Sequence, residues 1–202
     1  MKKFLERSHF LMDYATLVNK QHLLSSDYKP EDLIPVEIPF DAPTSDPKRL
    51  LRRNAALAAQ CLFNRSAACG LELWGISGYR SFERQQEIYR NSIKKKGIEH
   101  TSQFIAPPGS SEHQTGLALD VSCPQIDFDL VDSFEDTKEG IWLKHHAALY
   151  GFILRYPKGK EDITGFAYEP WHIRYVTKSL SLYLSLTGLT LEEYWKHKNK
   201  QI

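Results

Sequence analysis

No run of about 18 apolar residues, the length a helix needs to cross a bilayer, occurs in the 202 residues, so a helical membrane span is excluded. Cysteine is scarce. Cys61, Cys69 and Cys123 are odd in number and lack Cys-x-x-Cys spacing, which argues against a disulfide framework and a zinc knuckle and leaves buried free thiols as the expectation. Neither sign of charge dominates: 26 Lys and Arg face 25 Asp and Glu, so no global field draws the chain onto nucleic acid. Internal repeats and low-complexity tracts are absent. The basic runs Lys94-Lys95-Lys96 and Lys196, Lys198, Lys200 read as solvated helix ends. From Met1 to Tyr14 the residues Lys2, Lys3, Glu6, Arg7, His9 and Asp13 interrupt any apolar core of a signal peptide. The expected location is therefore cytoplasmic, or extracytoplasmic if a leader has been removed.

With 42% hydrophobic and 25% charged residues the chain has the composition of a soluble globular protein of one domain. Pro30, Pro35, Pro39, Pro43 and Pro47 bias their predecessors away from helix, so residues 1–47 are expected to form an extended N-terminal arm on a catalytic domain of residues 48–202. Asp46-Pro47 reads as the cap and first turn of a helix that carries Leu50, Leu51, Ala55, Ala58 and Leu62 and stops at Gly70. The stretch from Leu71 to Ser77 alternates as a strand, and Phe82 to Lys96 has helical character. From Leu117 to Ser122, Leu117, Leu119 and Val121 share one face while Asp120 lies on the other with Ala118 and Ser122. Thr137 is placed to cap a helix reaching Leu149, Phe152–Tyr156 and the region around Trp171 to Val176 read as strands, and Thr190-x-x-Glu193 is a capping box. Interspersed helices and short strands indicate an α+β fold with a small, mainly antiparallel sheet flanked by helices.

Two clusters carry chemistry. In the first, His113 and Asp120 are joined by a segment containing Gly116, which lets a turn bring a loop histidine beside a strand aspartate. In the second, Glu169-Pro170-Trp171-His172, the proline bars a continuous helix and stiffens the Glu169–His172 spacing. Two neutral imidazoles and one carboxylate leave a Zn2+ ion with one net positive charge and an open fourth position, as catalytic rather than structural sites do. Other divalent ions suit the same donors. Zinc can lower the pKa of a bound water to about 7, and Glu169 is the candidate base that takes its proton. His9, His22, His100, His145 and His146 read as surface or structural, with His100 in a loop. There is no His-Glu-x-x-His helix and no Gly-x-Ser-x-Gly elbow, which argues against a zincin and a serine hydrolase.

The run Ser77-Gly-Tyr-Arg-Ser81, the block Pro108-Gly-Ser-Ser-Glu-His-Gln-Thr-Gly-Leu-Ala-Leu-Asp120, the strand Tyr150-Gly-Phe-Ile-Leu-Arg-Tyr-Pro157, Ile163-Thr-Gly165 and Glu169-Pro-Trp-His-Ile-Arg-Tyr-Val176 together resemble the VanY-type D-alanyl-D-alanine carboxypeptidases. The resemblance extends from about Leu17 to Trp195. It implies the fold of the Hedgehog zinc domain and D,D-peptidases, zinc on His113, Asp120 and His172, and Glu169 as base. It also implies Arg80 facing the substrate's carbonyl oxygen or terminal carboxylate, with Gln85, Ser111 and Tyr156 lining the pocket and Trp171 as an apolar wall. Gln86 is an alternative to Gln85, and Tyr156 suits the core as well as the pocket. The implied substrate is a peptidoglycan stem peptide or precursor ending in D-Ala, cut by a D,D-carboxypeptidase that can also be a dipeptidase. The alternatives are an L,D-carboxypeptidase acting on tetrapeptides, or a Hedgehog-like zinc module without hydrolysis, which the presence of Glu169 and Arg80 disfavours.

Overall fold

The computed structural model describes residues 14–199; the charged opening stretch and His9 lie outside them. A two-stranded antiparallel ladder joins β1 (Leu33–Pro35) to β2 (Leu50–Arg52) and leads into α1 (Arg53–Ala68). Then follow β3 (Trp74–Ser77), α2 (Phe82–Lys96), α3 (Ile98–Phe104), β4 (Ala118–Ser122) and α4 (Lys138–His146). The chain continues through β5 (Phe152–Tyr156), α5 (Glu161–Thr164), β6 (Glu169–Tyr175), α6 (Lys178–Thr187) and α7 (Leu191–Asn199). The larger sheet has the order β3-β4-β6-β5, and every pairing in it is antiparallel. Helices and a small antiparallel sheet make the α+β architecture that the alternation of elements indicates.

Local chemistry sets the element ends. Thr137 accepts a hydrogen bond from the Gly140 amide at the start of α4, and Thr190 and Glu193 cap each other's amides at α7. The helix expected after Asp46-Pro47 forms differently. Asp46 does accept from the Lys48 amide, but Pro47–Arg49 is a single 3-10 turn and Leu50–Arg52 is extended. Pairing with β1 satisfies backbone groups that a helix would satisfy internally, and burial of Leu51 adds to it, so tertiary context overrides the local pattern. The helix after Thr137 likewise ends earlier than expected, at His146, and a 3-10 turn of Ala147–Tyr150 completes the path to Gly151.

The main core lies between the sheet and α1 and α4. Leu117, Leu119 and Val121 pack with Leu62, Phe63, Phe134, Leu143 and Ile173, and Val36, Ile38 and Phe40 from the segment before β2 join them. A smaller cluster of Ile153, Val176, Leu184 and Leu191 fixes α6 and α7. The thiols depart from expectation: Cys123 is buried, but Cys61 and Cys69 are exposed, because they occupy the outer side of α1 and its end. Among the described residues no helix is long and apolar enough to cross a membrane.

Gly116 is the hinge on which the first cluster turns. Its φ of 66° is left-handed, and a Cβ there would lie 2.7 Å from Leu33 Cδ2. Gly116→Ala is therefore expected to destabilise the protein by at least about 1–2 kcal/mol, the cost of the left-handed conformation, plus the clash; urea unfolding at unchanged m-value checks this.

Candidate metal centre

Strand register brings the second cluster to the first. On β4, Asp120 stands opposite His172 of β6 and, on its other side, opposite Ser77 of β3. The face of β4 opposite Leu119 and Val121 is buried too, and there Asp120 meets two imidazoles. His113 arrives on the 3-10 turn Glu112–Thr115, which Gly116 closes. His113 Nε2 lies 3.1 Å from Asp120 Oδ2, and His172 Nδ1 lies 2.9 Å from Asp120 Oδ1. One donor atom from each of the three residues falls within 4.8 Å of the others, and all three residues are buried. The two rings stand nearly perpendicular, with centroids 5.1 Å apart.

Hydrogen bonds fix the orientation of His113. Its Nδ1 is 2.7 Å from the Gly78 carbonyl, which can only accept, so Nδ1 carries the proton and the Nε2 lone pair faces Asp120. Gly78 is itself held close: a Cβ there would lie 2.6 Å from the Lys48 carbonyl oxygen. Electrostatics treats the histidines differently. Burial lowers the His113 pKa, and the nearby Arg80 charge adds to this against the pull of Asp120. Burial also opposes charge on His172, but the hydrogen bond to Asp120 and the nearby carboxylates of Glu112, Asp120 and Glu169 outweigh it and raise the pKa to about 9. Asp120 is desolvated as well, yet the two imidazoles hold it below the usual carboxylate range.

Around this trio lie the other residues singled out from the sequence. A cavity of about 670 Å³ is lined by Arg80, Gln85, Ser111, Tyr156, Glu169 and Trp171 together with His113, Asp120 and His172. Glu169 Oε2 is 3.8 Å from His172 Nδ1, and burial lifts its carboxyl pKa to about 7 against the attraction of His172 and Arg80. A divalent cation among the three donors would pull it down again. Arg80 donates from Nη1 to Gln85 Oε1 at 2.9 Å and from Nη2 to Ser77 Oγ at 2.9 Å. Gln85 Nε2 donates to the Ala106 carbonyl at 2.6 Å. Gln85, not Gln86, thus faces the cavity. Tyr156 is both core and wall: it is buried, with its ring centroid 4.9 Å from that of His172 and 5.0 Å from that of Phe166.

Sequence reasoning missed several members. His100, read as a surface or structural histidine in a loop, sits on α3 and lines the cavity. Ser77, read only as part of a motif, holds Arg80. The largest omission is Glu112, wholly buried beside His113. Its Oε1 accepts from Arg155 Nε and from Arg174 Nη1, both at 2.7 Å, and Arg155 also makes a paired contact with Glu192. Burial opposes ionisation of Glu112, but Arg155 and Arg174 hold its pKa well below normal. The available signal was the presence of Arg155 inside the otherwise apolar strand Phe152–Tyr156 and of Arg174 between Ile173 and Tyr175, since a buried guanidinium requires a carboxylate partner.

The donors suit zinc. Bonds of about 2.0–2.2 Å in a tetrahedral arrangement separate ligand atoms by roughly 3.3–3.6 Å, and one donor atom from each of the three residues lies within 4.8 Å of the others. Two imidazoles and one carboxylate also leave a fourth position for solvent or substrate.

Comparison with known proteins agrees with this chemistry. The family profile described as VanY, D-alanyl-D-alanine carboxypeptidase, matches residues 48–178. The bifunctional D-Ala-D-Ala dipeptidase and D-Ala-D-Ala carboxypeptidase VanXYC of Enterococcus gallinarum is 39% identical over 187 residues, covering 91% of this chain and 94% of that protein. The solved LdcB LD-carboxypeptidase superposes with a TM-score of 0.85 at 44% identity, covering 89% of this chain and 84% of that one. A vancomycin-resistance D,D-pentapeptidase VanY variant solved in complex with Zn(II) gives a TM-score of 0.74 at 32% identity, covering 91% and 99%.

Gln85→Ala removes both the acceptor of Arg80 and the donor to Ala106 from a buried position. A loss of about 1–3 kcal/mol, the usual cost of stranding such groups, is expected in equilibrium urea unfolding.

Proposed function

The chain belongs to the VanY family of D-alanyl-D-alanine carboxypeptidases, and on that premise we propose that it is a zinc-dependent carboxypeptidase removing C-terminal D-Ala from peptidoglycan stem peptides or their precursors. The observation that carries this reading is the convergence of His113, Asp120 and His172 within one cavity that also presents Glu169 and Arg80. His113, Asp120 and His172 would hold the ion. When bound, zinc supplies a Lewis acid that activates water and polarises the scissile carbonyl.

The protein's own groups account for the rest. Glu169 accepts a proton from the attacking water and returns it to the leaving D-Ala amine as the C–N bond breaks, a task suited to a carboxyl group shielded from solvent. Of the five guanidinium N–H groups of Arg80, Gln85 and Ser77 engage two, which orients the fork and leaves three for substrate. Those donors suit either the terminal carboxylate or the carbonyl oxygen as it gains charge. Ser111 and Tyr156 border the same space, and Trp171 supplies an apolar wall. An adjoining cavity of about 880 Å³ also borders Arg80 and Asp120 and extends to Tyr28, Lys48 and Tyr79. The two cavities share Arg80, Ile88, Asp120 and Leu130 in their walls, so a peptide longer than a dipeptide could extend from one past Arg80 toward the other.

A second reading, removal of D-Ala across an L,D bond in tetrapeptides, has one specific support: the likeness to the LD-carboxypeptidase LdcB exceeds that to the D,D-pentapeptidase. Incubation with D-Ala-D-Ala, muramyl pentapeptide and muramyl tetrapeptide in parallel, with and without chelator, separates the readings by which substrate releases D-Ala. Release from the pentapeptide supports D,D-specificity, release from the tetrapeptide supports L,D-specificity, and chelator-resistant release overturns the zinc mechanism.

Two substitutions test the roles. Glu169→Ala is expected to keep one zinc per chain by atomic absorption while turnover falls by at least about 10²-fold, the lower range for a general base. For Arg80→Ala, kcat/KM should fall by about 10²–10³-fold, and the melting temperature should change far less than in a core substitution; steady-state kinetics and calorimetry measure the contrast.

A further inference from the structure

One carboxylate oxygen of Glu112 has no use in the mechanism above, and its surroundings give it one. Oε1 is saturated by Arg155 and Arg174. Oε2 is buried with no hydrogen-bond partner, and so is His172 Nε2. These two orphans face each other across 3.5 Å. Burying a lone acceptor and a lone donor is unfavourable, and a shift of a few tenths of an ångström would pair them.

We propose that Glu112 is a positioning residue of the metal centre, accepting the His172 Nε2–H so that the opposite nitrogen, Nδ1, presents its lone pair beside Asp120 and His113. The proposal rests on the zinc reading above. His172 Nδ1 lies 2.9 Å from Asp120 Oδ1. A metal ion at Nδ1 requires the ring proton on Nε2, and Glu112 is the carboxylate within reach of that atom. His113 is held in the same way by a different acceptor, the Gly78 carbonyl, which leaves its Nε2 for the ion. The two imidazoles thus use opposite nitrogens toward one point, each fixed from behind by an oxygen.

Glu112 is in turn fixed by groups remote from the cavity. Arg155 Nη1 and Nη2 donate to Glu192 of α7, and Arg174 Nη2 donates to the Tyr14 and Thr16 carbonyls. With both guanidinium groups on Oε1, rotation of the carboxylate is blocked and Oε2 remains aimed at His172.

Glu112→Gln tests this with little change of shape. An amide can still offer its oxygen to the arginines, but it then presents N–H toward His172 Nε2 and favours the tautomer with the proton on Nδ1. Glu192→Gln is the control, since it weakens the same ion network without touching the imidazole. In chelator competition, the zinc Kd of Glu112→Gln is expected to rise by about 10- to 100-fold, as for other outer partners of metal-bound histidines, while that of Glu192→Gln stays within about twofold of the parent. Equal zinc affinity in folded Glu112→Gln and the parent would overturn the proposal, as would equal weakening in both variants. A measurement on the parent alone covers the case in which Glu112→Gln does not fold. Two-bond 1H–15N spectra of the zinc-loaded protein should assign the His172 proton to Nε2, and a proton on Nδ1 overturns the proposal. Failure of the parent to take up zinc overturns the metal reading itself, and this proposal with it.

Discussion

The antiparallel register that sets Asp120 directly opposite His172 is the constraint from which the site follows. A slip of one residue would turn Asp120 into the apolar core and Leu119 toward the cavity, because strand side chains alternate. Burial of Leu117, Leu119 and Val121 prevents that slip. The carboxylate is therefore positioned by hydrophobic packing on the far side of its own strand. The same register places Ser77 on the other flank of Asp120, and Ser77 holds Arg80. Packing of one strand face thus fixes both the candidate metal ligand and the support of the candidate substrate-binding cation.

Charge is arranged in two layers behind this geometry. Nearest the cavity are Asp120, Glu169 and Arg80, whose fields act on the imidazoles. Deeper lies Glu112 between Arg155 and Arg174, joined through Glu192 to α7. Isolated, any of the deeper ions would be strongly destabilising; assembled, Glu112, Arg155, Arg174 and Glu192 pair with one another. The orientation of the histidines, the aim of Arg80 and the placement of the last helix become parts of one connected arrangement rather than separate features.

Much of this was legible in the sequence because short-range rules dominate there. Thr137 and the Thr190–Glu193 box act where a cap is required, and Gly116 takes the left-handed turn that its position between His113 and Asp120 demands. Alternation within β4 correctly separated Asp120 from its apolar neighbours. What was not legible depends on partners distant in the chain. Leu50–Arg52 has the pattern of a helix start and becomes a strand because β1 lies beside it. Glu112 received no role from the sequence, since nothing local reveals that two arginines 43 and 62 positions onward enclose it. The exposure of Cys61 and Cys69 could not be read from their apolar composition, because helical facing rather than residue type decides it.

The buried lattice of Glu112, Arg155, Arg174 and Glu192 also bears on how the molecule responds to heat. Hydration of ions becomes less favourable as temperature rises, so the penalty for keeping these groups dry falls while the gain from apolar burial levels off. Warming consequently shifts relative strength toward the ionic interior and away from the purely apolar periphery. The smaller cluster around Ile153, Val176 and Leu184 lacks such reinforcement at its outer edge, where Leu186 is 86% exposed. α6 is therefore expected to loosen on warming before the strands that carry Arg155 and Arg174.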